Sequence, residues 1–393
     1  MSEGLVQAYV LPYLRIILGF TNVEKIVLVT REKPELKPAK QHIDQLQQEF
    51  DHEGIEWVVS DYRPFGLTAM LGEALLAFRL YLSIRKKGIT HLHVWCTPAG
   101  VLGYLLSKLT RVPLIIDSFE PHAEAQVENG TWSRNSLGFR LLWYFENQIA
   151  RHAKHLIYTS ANTITYAQEK YGAYDPSEFV KPACVDPELF AVEPPVKLQR
   201  ELNLEGCVVG VYSGKLGGIY HDRELFQLAA VADQFWQGKF RLLMLTNEPD
   251  HLVHQWAKEA GFRTDHLIKR FVRHAEVPRY LSLAHFGITL VKSVPTKRCC
   301  TPIKNGEYWA SGLPVIITAG IGDDSDLIQT HRAGYVLQSL DPGEMEAAIA
   351  EVDFLISEDE REQTSMRARQ LALKQRSFKR AIDIYRTIYG TKS

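Results

Sequence analysis

Short β-branched, apolar runs alternate with longer amphipathic segments along the whole chain, and this alternation limits the possible folds more than any other feature. In the first half the runs are 26–30, 55–60, 91–96, 114–117 and 155–159. In the second half they are 207–213, 241–246, 266–271, 287–291, 314–318 and 334–338. Most are apolar on both faces rather than alternating, as parallel strands covered by helices on each side must be. Strand–helix alternation of this extent predicts doubly wound α/β sheets. With 393 residues, the chain is too long for one ordinary core and suits two.

A Pro-rich stretch without helical period, 191–195 (AVEPP), follows 180–190 (VKPACVDPELF) and marks the expected linker. The domains are then read as 1–190 and 191–364, with a helical, basic segment over 365–393 that packs on the second domain or crosses back to the first. Residues 6–18 (VQAYVLPYLRIIL) read as a helix with no strand before it, so the first sheet is expected to lack its first strand.

The net charge of −1 gives no overall field to attract nucleic acid or acidic lipid. The first residues, MSEGL, lack the pattern of a signal peptide, and no uncharged apolar run reaches the roughly 18–20 residues of a membrane span. Five cysteines, at 96, 184, 207, 299 and 300, have no metal-ligand or disulfide-framework spacing. Location in the cytoplasm follows, or at the inner face of the membrane as a peripheral protein. The segment 67–87 (LTAMLGEALLAFRLYLSIRKK) has two readings, a buried helix with a solvated basic end, which is favoured, or a membrane-surface helix.

Three segments can carry chemistry. In 300–318 (CTPIKNGEYWASGLPVIIT), Thr301 is the expected N-cap, Pro302 the first helical residue and Gly312 the stop. Lys304 and Glu307 then fall in the opening turns, where free N–H groups favour an anion. Lys304 would add charge for a phosphate and Glu307 would accept from sugar or ribose hydroxyls; the alternative is a surface helix with a charged pair. In 212–218 (YSGKLGG), glycines after a strand let the backbone approach a diphosphate beside Lys215. This turn fits neither GxGxxG nor GxxxxGK[ST], which speaks against a dehydrogenase or an NTPase. In 117–124 (DSFEPHAE), Asp117, Glu120, Glu124 and His122 form an expected active-site loop, His122 positioning a hydroxyl or relaying a proton. A capping cluster is the alternative there. Asp324 and Asp326 resemble a metal-binding pair, but Asp323 or Ser325 as a helix N-cap is the favoured reading of this cluster.

Together these segments resemble the retaining glycosyltransferases of family 4, which have the GT-B fold of two Rossmann-like domains facing across a cleft. The resemblance rests on 212–218, on 302–314 as a Glu-containing donor helix, and on 185–190 (VDPELF) as an interdomain motif. Residues 8–14, 127–132, Glu146 and the strand at 153–159 support it. It implies transfer of a sugar from a nucleoside-diphosphate sugar to a glycan or lipid-linked acceptor, with retention, no cofactor and no obligatory metal. The implied catalytic residues are His122, Lys215 and Glu307; the implied donor-binding residues are Gly214, Lys215, Gly217, Lys304, Asn305 and Glu307. Two departures stand out: Cys299 occupies the first glutamate of the family's E-x7-E motif, and Tyr220 and His221 stand where a second basic residue is expected. The rival functions are a sugar-nucleotide epimerase or hydrolase, and a non-catalytic sugar- or nucleotide-binding protein.

Overall fold

The structure, a computed structural model, describes residues 10–32, 40–61, 67–172 and 177–390. The first domain contains strands β1 (Ile26–Glu32), β2 (Ile55–Asp61), β3 (Leu92–Trp95), β4 (Leu114–Phe119), β5 (His155–Tyr158) and β6 (Ser177–Val180). Its helices are α1 (Leu11–Leu18), α2 (Lys40–His52), α3 (Leu67–Lys87), α4 (Thr97–Thr110), α5 (His122–Glu128), α6 (Leu137–His152) and α7 (Ala161–Tyr171). The second contains β7 (Val208–Ser213), β8 (Phe240–Leu245), β9 (Leu267–Arg270), β10 (Phe286–Thr289), β11 (Val315–Thr318) and β12 (Gly334–Leu337). Around these lie α8 (Val196–Glu201), α9 (Arg223–Phe235), α10 (Asp250–Glu259), α11 (Val277–Leu281), α12 (Ile303–Ala310), α13 (Asp324–His331), α14 (Pro342–Leu355), α15 (Arg361–Leu371) and α16 (Phe378–Tyr389).

Each apolar run of the sequence is a strand, and among the described residues every pair of these strands is parallel. The second sheet has the order β12-β11-β10-β7-β8-β9, the doubly wound arrangement that reverses direction between β7 and β10. In the first domain β3-β4-β5-β6 form one sheet and β1-β2 a separate pair. The β1–β2 pair still shares a core with the larger sheet, because Ile26 and Trp95 pack into the same clusters. Among the described residues α1 is the first element; residues 1–9, which include part of the 6–18 helix and of the 8–14 motif, lie outside them.

Alternate side chains of β4 explain why these runs are apolar on both faces. Leu114 and Ile116 pack against α6 and α7 through Ile149, Ala150 and Ala167. Ile115 faces the other layer with Tyr13 and Ile17 of α1 and Ala381, Tyr385 and Ile388 of α16. The helix that completes the first domain therefore comes from the end of the described chain. The backbone crosses between domains twice, and the crossings hold each other: Val185 N donates to Arg376 O at 2.7 Å. Arg376, 1% exposed, donates to Ala183 O at 3.0 Å and Pro302 O at 3.3 Å. Its guanidinium also reaches Thr301 Oγ1 and the Asp324 carboxylate.

Candidate active site

The crevice beyond the carboxyl ends of β7 and β10, where the strand order reverses, is where an open α/β sheet binds its ligand. Ser213–Gly218 leave β7 there, and the backbone turns with positive φ at Gly214 (116°), Gly217 (71°) and Gly218 (61°), values that side-chain-bearing residues rarely adopt. Lys292 Nζ, from the segment after β10, donates to Gly218 O at 2.8 Å and holds the turn. Lys215 is exposed on it, with its carbonyl accepting from the Tyr212 hydroxyl at 2.5 Å.

Across the crevice stands α12. The expected cap is corrected here: Pro302, not Thr301, precedes the helix, and α12 begins at Ile303. Thr301 is unavailable because its hydroxyl accepts from Ala183 N at 3.2 Å and from Arg376. Lys304 is 5% exposed, so the surface-helix reading of the charged pair does not hold. Its Nζ has no hydrogen-bond partner and sits 4.0 Å from the Tyr212 ring centre and 3.9 Å from that of Tyr220. It also lies beside the Gly-rich turn, 3.4 Å from where a Cβ on Gly214 would be. Burial lowers the Lys304 ammonium to about 7, against the opposing pull of Glu307 and Cys300.

Glu307, 4% exposed, has Oε1 2.9 Å from Nε2 of His274. That hydrogen bond raises the His274 imidazole above its ordinary value despite desolvation. Tyr308 fixes the helix to the sheet: its hydroxyl accepts from Ser213 N at 2.8 Å, and its ring covers Gly287. A Cβ on Gly287 would lie 2.3 Å from Tyr308 Cδ2. Gly287→Ala is accordingly expected to destabilise the protein by about 1–3 kcal/mol and to weaken ligand binding by tilting α12. Thermal melts with and without nucleotide measure both effects.

The Asn305 amide is engaged within the protein. It is fully buried, its Nδ2 donates to Asp324 Oδ2 at 2.7 Å and its Oδ1 accepts from Thr289 Oγ1 at 2.7 Å. These bonds tie α12 to β10 and α13.

The 117–124 loop divides. Asp117 is fully buried in β4, on the face toward α1 and α16, and not in the cleft. It pairs with Lys181 at 3.1 Å, accepts from Tyr385 OH at 2.6 Å and meets His93 Nε2 at 3.3 Å. Burial alone would raise its carboxyl, but the Lys181 charge and these hydrogen bonds hold it well below the usual range. After a bulge at Ser118 (φ 55°), Glu120 and His122 emerge half-buried. His122 Nδ1 is 3.3 Å from Glu120 Oε1, and the Gln126 amide reaches Nε2 at 3.1 Å. Glu124 is tied to Tyr166 and Lys170.

Helix α5 carries His122 at its start and reaches the second domain at its end, where Glu128 accepts from Thr296 N at 3.2 Å. Thr159 Oγ1 donates to Cys299 O at 2.5 Å and Ser160 Oγ to Arg298 O at 2.7 Å. Asp323 caps a helix other than its own: its carboxylate accepts from Ala161 N at 2.7 Å and Asn162 N at 3.1 Å, at the start of α7. Cys299 is buried, and burial pushes its thiol up to about 12 against a hydrogen bond from Thr163. All five cysteines are free. Among the described residues no three His, Cys, Asp or Glu side chains gather as metal ligands, and no helix is long and apolar enough to cross a membrane.

The first domain matches a known family model over residues 24–182, that of the glycosyl transferase 4-like domain. The chain carries a glycosyltransferase domain. Solved structures agree in fold. Sucrose-phosphate synthase from Thermosynechococcus elongatus is 13% identical, with 94% of this chain and 100% of that chain covered and a TM-score of 0.68. The HepE protein of Anabaena with UDP-glucose is 15% identical, with 93% and 99% covered and a TM-score of 0.68. An α,α-trehalose-phosphate synthase (UDP-forming) from Burkholderia vietnamiensis is 11% identical, with 94% and 100% covered and a TM-score of 0.63. No curated protein sequence matches the chain. The expected GT-B architecture and the family-4 resemblance are thus borne out, and the chain pairs a matched first domain with a second domain that holds Lys215, Lys304 and Glu307. Sequence reasoning missed Tyr212 and Tyr220 as the walls around Lys304, and His274 as the partner of Glu307. Only the Gly-Lys turn beside Tyr212 hinted at the first.

Proposed function

We propose that the second domain binds a nucleoside-diphosphate sugar and that its sugar passes, with retained configuration, to a hydroxyl of a glycan or lipid-linked acceptor held by the first domain. The observation that carries this reading is the Lys304 ammonium, buried, without a hydrogen-bond partner and set against the Gly-rich turn in the β7–β10 crevice. A diphosphate supplies the missing acceptors. Lys304, Lys215 and the first-turn amides of α12 would stabilise charge developing on the leaving group. Glu307, oriented by His274, would accept from the ribose hydroxyls. The leaving phosphate oxygen would take the proton of the incoming hydroxyl on the same face of the sugar, and His122 would position that sugar. UDP is the first nucleotide to test, since HepE was solved with UDP-glucose.

Calorimetry against UDP, GDP, ADP, CMP and dTDP is expected to single out one nucleotide. Glu307→Ala should weaken that binding by about 10- to 100-fold, the loss of about 1.5–3 kcal/mol of charge-assisted hydrogen bonding. Because fixed cations of the chain serve the diphosphate, turnover is expected to survive EDTA; loss of turnover restored by Mg²⁺ would overturn that part. The non-catalytic reading is favoured by one feature, the Cys299 thiol packed toward α7 where the family's first glutamate is expected. Saturable nucleotide binding without consumption of any donor sugar would establish it. Donor consumed without added acceptor would instead favour a hydrolase or epimerase.

A further inference from the structure

The helix α3 is not the buried helix favoured from sequence. Leu75, Phe78 and Leu82 are 51%, 59% and 49% exposed, and their spacing puts them on one face. Helix α3 packs on α4, and α4 on α6, so the three form a continuous layer. On α4, Leu105 and Leu109 are 43% and 67% exposed; on α6, Leu137, Leu141 and Tyr144 are 64%, 42% and 54% exposed. Single exposed apolar side chains are ordinary, but a contiguous group on three neighbouring helices marks an interaction surface.

The charges on the same layer identify the partner. Exposed Arg79, Arg85 and Lys86 share the face of Leu75 and Leu82, Lys108 lies between Leu105 and Leu109, and Arg140 lies between Leu137 and Leu141. The carboxylates of the three helices are Glu73 and Glu146. Glu73 is paired with Arg31, and Glu146 is fully buried, accepting from Ala123 N at 2.8 Å and Tyr171 OH at 2.9 Å. A protein partner of mixed charge has no reason to demand cations alone among apolar side chains. An anionic bilayer does, since apolar groups enter the acyl boundary while Lys and Arg stems extend to the headgroups.

We infer that the α3–α4–α6 face docks this protein on the surface of an anionic lipid bilayer. Helix α6 packs on α5, whose first residue is His122, so docking brings the acceptor side of the cleft next to the membrane and points to a lipid-borne acceptor. That consequence for the acceptor rests on the function proposed above; the docking itself does not.

Co-sedimentation of the full chain with vesicles tests it, using phosphatidylcholine alone and a 7:3 mixture with phosphatidylglycerol. Binding to the mixed vesicles is expected to exceed that to neutral ones by about tenfold, and to fall several-fold in 0.5 M NaCl as charges are screened. Phe78→Gln/Leu82→Gln/Leu109→Gln should cut binding by about tenfold or more. Arg79→Ser/Arg85→Ser/Lys86→Ser should remove the preference for anionic lipid, and its exposed positions keep the test informative if the apolar variant fails to fold. Nucleotide binding by both variants, followed in parallel, should remain that of the unmodified protein. Pelleting no greater with mixed vesicles than without would overturn the inference. So would a dimer in sedimentation velocity that Phe78→Gln dissociates, which would assign the face to a second copy of the chain.

Discussion

Lys304→Ala is expected to weaken nucleoside-diphosphate binding by about 30- to 1000-fold. Removing one member of a buried, hydrogen-bonded charge pair costs about 2–4 kcal/mol, and each 1.4 kcal/mol is about tenfold in affinity. The same residue sets a pH dependence. In the empty site burial lowers its ammonium to about 7, whereas a diphosphate beside it favours the protonated form. Above that pH, binding must take up a proton, and affinity should fall by up to about tenfold per pH unit until the bound-state value is reached. Calorimetry at pH 8 in buffers of different ionisation enthalpy reads the proton directly. No uptake, or an unchanged pH slope in Lys304→Ala, would refute the assignment. Stability has its own sign. The folded state holds Lys304 below its unfolded value of 10.5, so the unfolded chain binds more protons between the two, and this group's contribution to stability rises with pH there. Lys304→Met should therefore raise the melting temperature of the ligand-free protein at neutral pH while removing nucleotide binding, as residues kept for function at a cost in stability do.

Asp117→Ala should produce the largest loss of stability. It would take the Asp117 carboxylate away from the Lys181 ammonium, which is fully buried and 3.7 Å from the Tyr13 ring centre. It would also remove the hydrogen bond that Tyr385 of α16 donates to it. Breaking a buried pair from one side costs about 3–5 kcal/mol, which for a domain of this size lowers the melting temperature by roughly 6–20 °C. Nucleotide binding at low temperature should persist, because the donor crevice lies in the other domain; its loss would show that the two domains do not fold separately. In the unmodified protein the pair's contribution is present above the ordinary carboxylate value of 3.8 and disappears as pH falls toward the depressed folded value.

These cases also show what the sequence could and could not disclose. Strands such as Leu114–Phe119 and Val208–Ser213 were legible because burial on both faces leaves an unbroken apolar run. Strand β6 (Ser177–Val180) was not, being four residues with Ser and Glu among them. The donor helix was legible because Lys304, Glu307 and Gly312 act within one local element. Its cap was misread because the hydroxyl of Thr301 is claimed by Arg376, 75 positions on. Asp117 looked like an active-site acid for the same reason: Lys181 and Tyr385 are its neighbours only after folding. Helix α3 misled differently, since an apolar segment reads the same whether its side chains are buried or, like Leu75, Phe78 and Leu82, exposed.

The position of α16 has a consequence for how this protein is made. Tyr385 reaches Asp117 across 268 residues of chain, and the entire second domain is synthesised between them. Until α16 exists, Ile115, Ile157 and Tyr13 lack the part of their cover that Ala381, Ile384, Tyr385 and Ile388 supply. The first domain must then wait, partly open, for its neighbour to be translated, which lengthens the time its apolar sheet is available for aggregation. A fragment ending at the linker should share that defect permanently, and a separately supplied α16 peptide should repair it.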